Sequence, residues 1–484
     1  MQKYISEIVT IKEIKKWQPG QRILICAQTG RGKSQMIKDN LYIYAKQNNK
    51  KILLMSNRIL LKKQNEYEIQ NKRDVIDLHN YQEFESRILS GIEDIYSLFE
   101  PYDYIVYDEG HYAFADSAFN TNTDLLIDPI KNTPKNKIFL FLTATPEALT
   151  DYQPDFDYIY DLPRDYSYIK TVYFYDRNAK IANNSIESII NNIPKDEKIL
   201  YFGSRVEDIY KLSLKFKDSS FICSPSNKLK NKSDISTFLE IEELEKFNKR
   251  ILFATKVLDN GVNLKDKTLK HIIIDVLDPI SFLQTLGRKR SISPDDTICL
   301  YVRNYHKGLM HYVLEGIDKQ LHDIEKENEI ETKILQQKFP EYNFNKTQEK
   351  RIKVAKYQHL LTQKRLIQEI KSSISESAYA EYICKILGKN IEDTKDAFLE
   401  FEKISMEELL KQYLSIKMFK DNQEIFKHMF FNMIFSTKKT DYSARGLIAM
   451  NRIIAEDGLP YTIFSRREDK GANRKKYYWI VEEK

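Results

Sequence analysis

Four short apolar runs punctuate the first 165 residues: Ile23–Cys26, Ile52–Met55, Tyr104–Tyr107 and Ile138–Leu142. Each is continuous rather than alternating, which is the pattern of a strand buried on both faces. Between the runs, apolar residues recur at helical spacing; Met36, Ile37, Leu41 and Tyr44 are one such set. Strand and helix in alternation predict a doubly wound parallel sheet over residues 1–165, with ligand-binding loops at the strand carboxyl ends. The alternation pauses near DLPRDYSY and restarts with TVYFY, KILYF, SFICS, ILFAT and HIIIDV, predicting a second α/β domain over 166–304. Beyond Asn304 it stops. Leu314, Ile317, Leu321 and Ile324 then mark one apolar stripe on a long helix, better suited to packing on the preceding domains than to a coiled coil. A second helix rich in Lys and Arg follows, and further helical spacing extends the helical region over 305–440. The last segment, 441–484, reads as helix, a turn at DGLP, strand YTIFSRR, loop EDKGANRKK and strand YYWIV, a winged-helix-like order.

Composition narrows the classes without choosing among them. The 484 residues suffice for several domains, and the net charge of +6 is a small difference between 76 basic and 70 acidic side chains. Cys26, Cys223, Cys299 and Cys384 lie far apart with no paired spacing, which argues against a zinc site or a disulfide framework. No apolar run approaches 18 residues and no N-terminal signal pattern is present, so the expectation is a cytoplasmic protein with no membrane span.

The candidate chemistry begins where the first strand ends. In AQTGRGKSQ, a loop with two glycines joins the strand RILIC to a helix start. A helix N-terminus presents free backbone N–H groups and a partial positive charge, a ready cradle for phosphate. Lys33 would reach the β- and γ-phosphates and Ser34 would ligate magnesium. The bland alternative is a glycine turn that happens to precede Lys-Ser. Ala27 stands where the usual pattern has Gly, a position that needs smallness more than a positive φ. The strand YDYIVYDEGH supplies the missing carboxylates: Asp108 is placed to hold the magnesium and Glu109 to polarise an attacking water.

At DEGH the chain resembles the superfamily 2 helicases of the DExH type, which also use a loop of the form AQTGRGKS. The later motifs of that family follow in order. IFLFLTATP resembles motif III, KILYFGSRVEDI motif IV, ILFATKVLDNGVNL motif V and QTLGRKR motif VI, while MSNRILLKKQ and YQEFE stand at motifs Ia and Ib. The resemblance covers roughly the first 300 residues. It implies two tandem RecA-like domains that close on ATP and Mg2+ and a nucleic-acid track along both. Gln28, Thr29, Gly30, Arg31, Gly32, Lys33 and Ser34 would hold the nucleotide, with Asp259 and Gly261 beside it. Gln284, Arg288 and Arg290 would act from the second domain. His111, Thr143 and Thr145 would couple hydrolysis to domain motion, and Asn57, Arg58, Tyr81, Gln82, Ser204, Arg205 and Thr255 would contact the strand. The C-terminal segment adds Arg466, Arg467, Lys470, Arg474, Lys475 and Lys476, a basic set suited to phosphate contact or to a solvated hairpin.

One departure stands out. Where the family places a second motif VI arginine, this chain has Ser291, with Arg290 one position early. On a helix that shift would turn the side chain by about 100° away from the cleft, whereas from a loop Arg290 could still reach the γ-phosphate. Loss of Arg288 or Arg290 is expected to be severe for hydrolysis, and Lys289→Ala, between them, mild. The resulting expectation is an ATP-driven helicase or translocase on single-stranded or forked DNA, with RNA as an alternative substrate. The helical region offers surface for protein partners, and a phage, mobile-element or defence origin suits the sequence. The competing reading is a nucleic-acid-stimulated ATPase that clamps without unwinding.

Overall fold

The computed structural model describes residues 4–56, 69–91, 94–115, 117, 122–126, 133–150, 156–175, 186–224, 227–255, 263–338, 354–375, 377–397, 406–435, 446–469 and 473–483. These fall into two compact units, Met1–Thr394 and Lys395–Lys484.

The apolar runs of the first unit become strands of two parallel sheets. The first contains β1 (Arg22–Cys26), β2 (Ile52–Ser56), β3 (Ile76–Asn80), β4 (Tyr104–Asp108), β5 (Ile138–Thr143) and β6 (Tyr158–Asp161), in the order β3-β2-β4-β5-β1-β6. Its two faces are buried by different side chains. Ile23, Ile25, Tyr104, Val106, Leu140 and Leu142 lie in one core, whereas Leu24, Ile105, Tyr107, Phe139 and Phe141 lie in the other. That is the outcome of period-two alternation in a strand apolar on both sides. β1 and β4 each flank β5, so the phosphate-loop strand and the box strand open at the same edge.

The second sheet contains β7 (Ile169–Tyr175), β8 (Lys198–Gly203), β9 (Ser219–Ile222), β10 (Ile251–Ala254), β11 (Leu269–Asp275) and β12 (Ile298–Arg303). These strands run β7-β12-β11-β8-β10-β9, again parallel throughout. The tandem parallel-sheet α/β domains have the RecA-like form. The helix Lys307–Lys338 buries Leu314, Ile317, Leu321 and Ile324 in the core of the second domain, so its stripe is consumed by packing. The next helix, Val354–Ser372, touches both domains. Ala355 sits in the first domain's core, Leu366 meets Ala148 and Ile280, and Ile367 and Ile370 belong to the second domain's core.

The expected helical stretch 305–440 is divided between the units. Helices Lys307–Lys338, Val354–Ser372 and Ala378–Leu387 pack with the sheets, whereas Met406–Gln412 and Lys420–Phe435 contribute Leu409, Leu410, Phe426 and Phe430 to a separate core. That second core is completed by the helix Leu447–Glu456 and the antiparallel hairpin Tyr461–Arg467 with Tyr477–Glu483. Among the described residues no helix is long and apolar enough to cross a membrane.

Candidate active site

The loop after β1 folds as a cradle because two of its glycines accept backbone that side chains resist. Gly30 has φ +86° and Gly32 φ +77°, and Gly32 caps the helix that starts at Lys33. Lys33 is buried and its Nζ donates to the Ala27 carbonyl at 2.8 Å. Burial lowers the Lys33 pKa while Glu109 and Asp108 pull it back up. The Ser34 hydroxyl donates to Asp108 Oδ2 at 3.2 Å, so a hydroxyl and a carboxylate oxygen converge from the two strands. Hard oxygen donors of this kind suit Mg2+. Gln28 and Arg31 are fixed from the interdomain joint: the Asp165 carboxylate accepts from Arg31 Nη2 at 2.9 Å, and its backbone N–H donates to Gln28 Oε1 at 2.9 Å.

β4 ends in Asp108, and the next residue turns sharply, since Glu109 holds φ +53°. A left-handed residue that is not glycine costs energy, and such strain concentrates where a side chain must be aimed. From this turn His111 enters a buried relay. Gln284 Nε2 donates to His111 Nε2 at 2.5 Å, which leaves the imidazole proton on Nδ1 facing Thr143 Oγ1 at 3.1 Å. Thr143 Oγ1 also accepts the Thr145 backbone N–H at 3.0 Å, and His111 Nδ1 lies 3.5 Å from Glu109 Oε2. The chain of contacts thus joins motif VI of the second domain to the box and motif III of the first.

Motif VI also abuts the phosphate loop. The helix Pro279–Leu286 is capped by Asp278 and gives way at Gly287, so Arg288, Lys289 and Arg290 lie beyond it. A methyl group at Gly287 would come within 2.5 Å of Thr29 Oγ1, and one at Gly30 within 2.7 Å of Arg290 Nη1. Lys289 bridges to Leu264 as in a strand, so alternate residues face opposite ways. Arg290 goes toward the loop and Lys289 into its own domain. The charges of Arg288 and Arg290 both act on Lys33. Burial, reinforced by Arg288, brings the Arg290 pKa down to about 10.

Lys289 is a buried structural cation: its ammonium contacts both Asp296 oxygens at 2.8 Å and the Asp266 carbonyl at 2.8 Å, and both side chains of the pair are fully buried. Two expectations need correction. Tyr81 does not face a strand. It is 1% exposed, donates its hydroxyl to the Asp108 carbonyl at 2.9 Å, and stacks on Tyr112. Thr255 is likewise buried. Gln82 is half-buried and donates to the Tyr112 hydroxyl, whereas Ser204 and Arg205 are exposed at a helix start. Asn57, Arg58, Asp259, Gly261 and Lys470 lie outside the described residues. In the second unit Arg467, Arg474, Lys475 and Lys476 are exposed at the hairpin, and Arg466 pairs with Glu482 at 2.7 Å. The sequence offered no signal for Asp165, whose two contacts fix the loop from more than 130 residues away.

Residues 1–148 match the family described as type III restriction enzyme, res subunit. Among solved structures, the chain is similar to S. cerevisiae Dbp5 bound to RNA and ADP BeF3, with 13% identity and a TM-score of 0.44, over 63% of this chain and 85% of that one. A point variant of Dbp5 in the same bound state gives 13% identity and a TM-score of 0.43, over 60% of this chain and 81% of the other. No curated protein matches the chain. The family match thus covers the first domain, and the ordered motifs that resemble those of the superfamily 2 helicases lie on two parallel-sheet domains.

Proposed function

We propose that the protein hydrolyses ATP with Mg2+ and uses closure of its two RecA-like domains to move along one strand of nucleic acid, with DNA favoured over RNA. The observation that carries this reading is the approach of Arg290 to Gly30, beside the buried Gln284–His111 contact. Residues of both domains meet at one phosphate cradle, as a closure-driven motor requires. A bound Mg2+ would neutralise charge on the phosphate oxygens. Lys33 would exchange the Ala27 carbonyl for the phosphates, and Ser34 and Asp108 would hold the metal. Glu109 orients and polarises the attacking water. Arg288 and Arg290 steady the charge that builds on the transferring group, a contribution worth about 10³-fold or more per arginine finger. Thr143, His111 and Gln284 sense the γ-phosphate side of the box and pass its loss to the second domain. Ser204, Arg205 and the basic hairpin give sequence-tolerant contacts to phosphate and sugar, and the hairpin with its preceding helix serves as a winged-helix-like module.

The decisive experiment compares ATPase rates with single-stranded DNA, duplex DNA and RNA, alongside strand displacement on tailed duplexes. Stimulation by single-stranded DNA with displacement supports the reading. Stimulation without displacement or translocation favours the clamp, and stimulation by RNA alone reverses the substrate order. Glu109→Gln should retain nucleotide binding and lose hydrolysis; loss of both together would remove Glu109 from the water-activating role.

A further inference from the structure

Arg290 reaches the loop from a position one residue early, so something must aim it. Its backbone is pinned: the Arg290 N–H donates to the Leu264 carbonyl at 3.0 Å, and the Leu264 N–H donates to the Arg288 carbonyl at 2.8 Å. Its side chain is pinned separately, because Arg290 Nε donates to Asn263 Oδ1 at 2.9 Å. The Asn263 amide is oriented in turn, since its Nδ2 donates to Glu245 Oε1 at 3.3 Å. Glu245 is itself held at the end of the helix Ile235–Leu244. It takes φ +55°, its carbonyl accepts the Lys265 N–H at 2.8 Å, and its carboxylate pairs with Lys265 Nζ at 2.7 Å.

We propose that Asn263, with its amide set by Glu245, is the positioning residue that directs the Arg290 guanidinium at the phosphate loop and so lets a displaced arginine serve as a finger. This rests on the ATPase reading above. The logic is one of donors and acceptors. An ionised carboxylate only accepts, so Glu245 engages the NH2 end of the Asn263 amide and leaves the oxygen for Arg290 Nε. With Nε engaged, Nη1 is the guanidinium nitrogen that faces Gly30. A misplaced catalytic group about 1 Å off costs about 100-fold, so losing this contact should affect turnover far more than nucleotide affinity.

The test uses the full chain with ATP, Mg2+ and a saturating oligo-dT strand. Asn263→Leu keeps the volume and removes the acceptor; kcat should fall about 10- to 100-fold with KM for ATP little changed. In an Arg290→Ala background the same substitution should cost nothing more, because its effect passes through the arginine. Asn263→Asp alone should also be slow, since two carboxylates then face each other. Adding Glu245→Gln should restore most of the rate by exchanging amide and carboxylate. A kcat for Asn263→Leu near the unmodified value, a further loss in the Arg290→Ala background, or no rescue by the exchanged pair would each overturn the proposal. If instead the unmodified chain hydrolyses no ATP, or Lys33→Ala equals it, the ATPase reading fails first and this inference with it.

Discussion

Lys33, Arg288 and Lys289 are only 3–6% exposed, whereas Arg466 at the C-terminal hairpin leaves 47% of its side chain in water. The two regions carry similar residue types and treat their charge in opposite ways. Around motif VI and the loop, each of these cations is withdrawn from solvent and aimed: Lys289 into its own domain at Asp296, Arg290 at the phosphate loop, Lys33 at the Ala27 carbonyl. At the hairpin, Arg467, Arg474, Lys475 and Lys476 keep their hydration. A buried cation costs the fold and is retained where a fixed partner or ligand compensates it. A solvated one costs little and confers little specificity. The comparison separates chemistry from general attraction to a polyanion.

The largest expected break is Lys33→Ala, which should lower kcat for ATP by about 10²- to 10³-fold or more, as loss of a preorganised charge at the reacting group does; steady-state phosphate release measures it. The next concerns stability. Lys289→Ala removes the nearer of the two ammonium groups on buried Asp296, leaving Lys270 Nζ at 3.8 Å, and should cost about 3 kcal/mol, read by chemical denaturation of the full chain. Lys289→Met fills the space but leaves the same carboxylate buried, so it should be nearly as damaging. A third test uses the ligand: Mg-ATP analogue at about 100 times its Kd should stabilise the unmodified protein by about 2.7 kcal/mol and leave Lys33→Ala almost unmoved. The smallest effect belongs to the solvated side. Replacing Arg467, Arg474, Lys475 and Lys476 with Gln should weaken single-strand binding and flatten its salt dependence by about 0.7 in log-log slope per lost phosphate contact. An unchanged slope would make the hairpin a cap or a protein-docking surface.

How far the sequence carried this picture differs from residue to residue. β1, β4 and β5 were legible because both faces of each are buried, which writes an unbroken apolar run. β3 was not: IDLHN places Asp77 and His79 in a partly buried position at the sheet edge, and the apolar pattern dissolves. β12 (ICLYVR) also escaped, although its own run is apolar, because it follows the charged loop after motif VI. Lys33, Asp108 and Glu109 could be named from local spacing alone. Asn263, Asp165 and the role of Lys289 could not, since each is defined by a contact across the fold. Tyr81 shows the opposite error: its place in motif Ib suggested a nucleic-acid contact, yet an aromatic ring there is more useful beneath the box.

The helix Val354–Ser372 limits how the two domains can part. Domains joined by a single covalent joint, here the stretch near residue 165, keep three rotational freedoms relative to each other. This helix adds a second attachment, anchored in one domain through Ala355 and in the other through Ile367 and Ile370. The anchors are 12 to 15 residues apart, a rod of about 18–22 Å that does not stretch. Two fixed points define an axis, so domain separation reduces to rotation about the line from the joint to the rod, unless one anchor is drawn out of its core. Leu366, wedged between Ala148 beside motif III and Ile280 on the motif VI helix, lies where that rotation would first be felt.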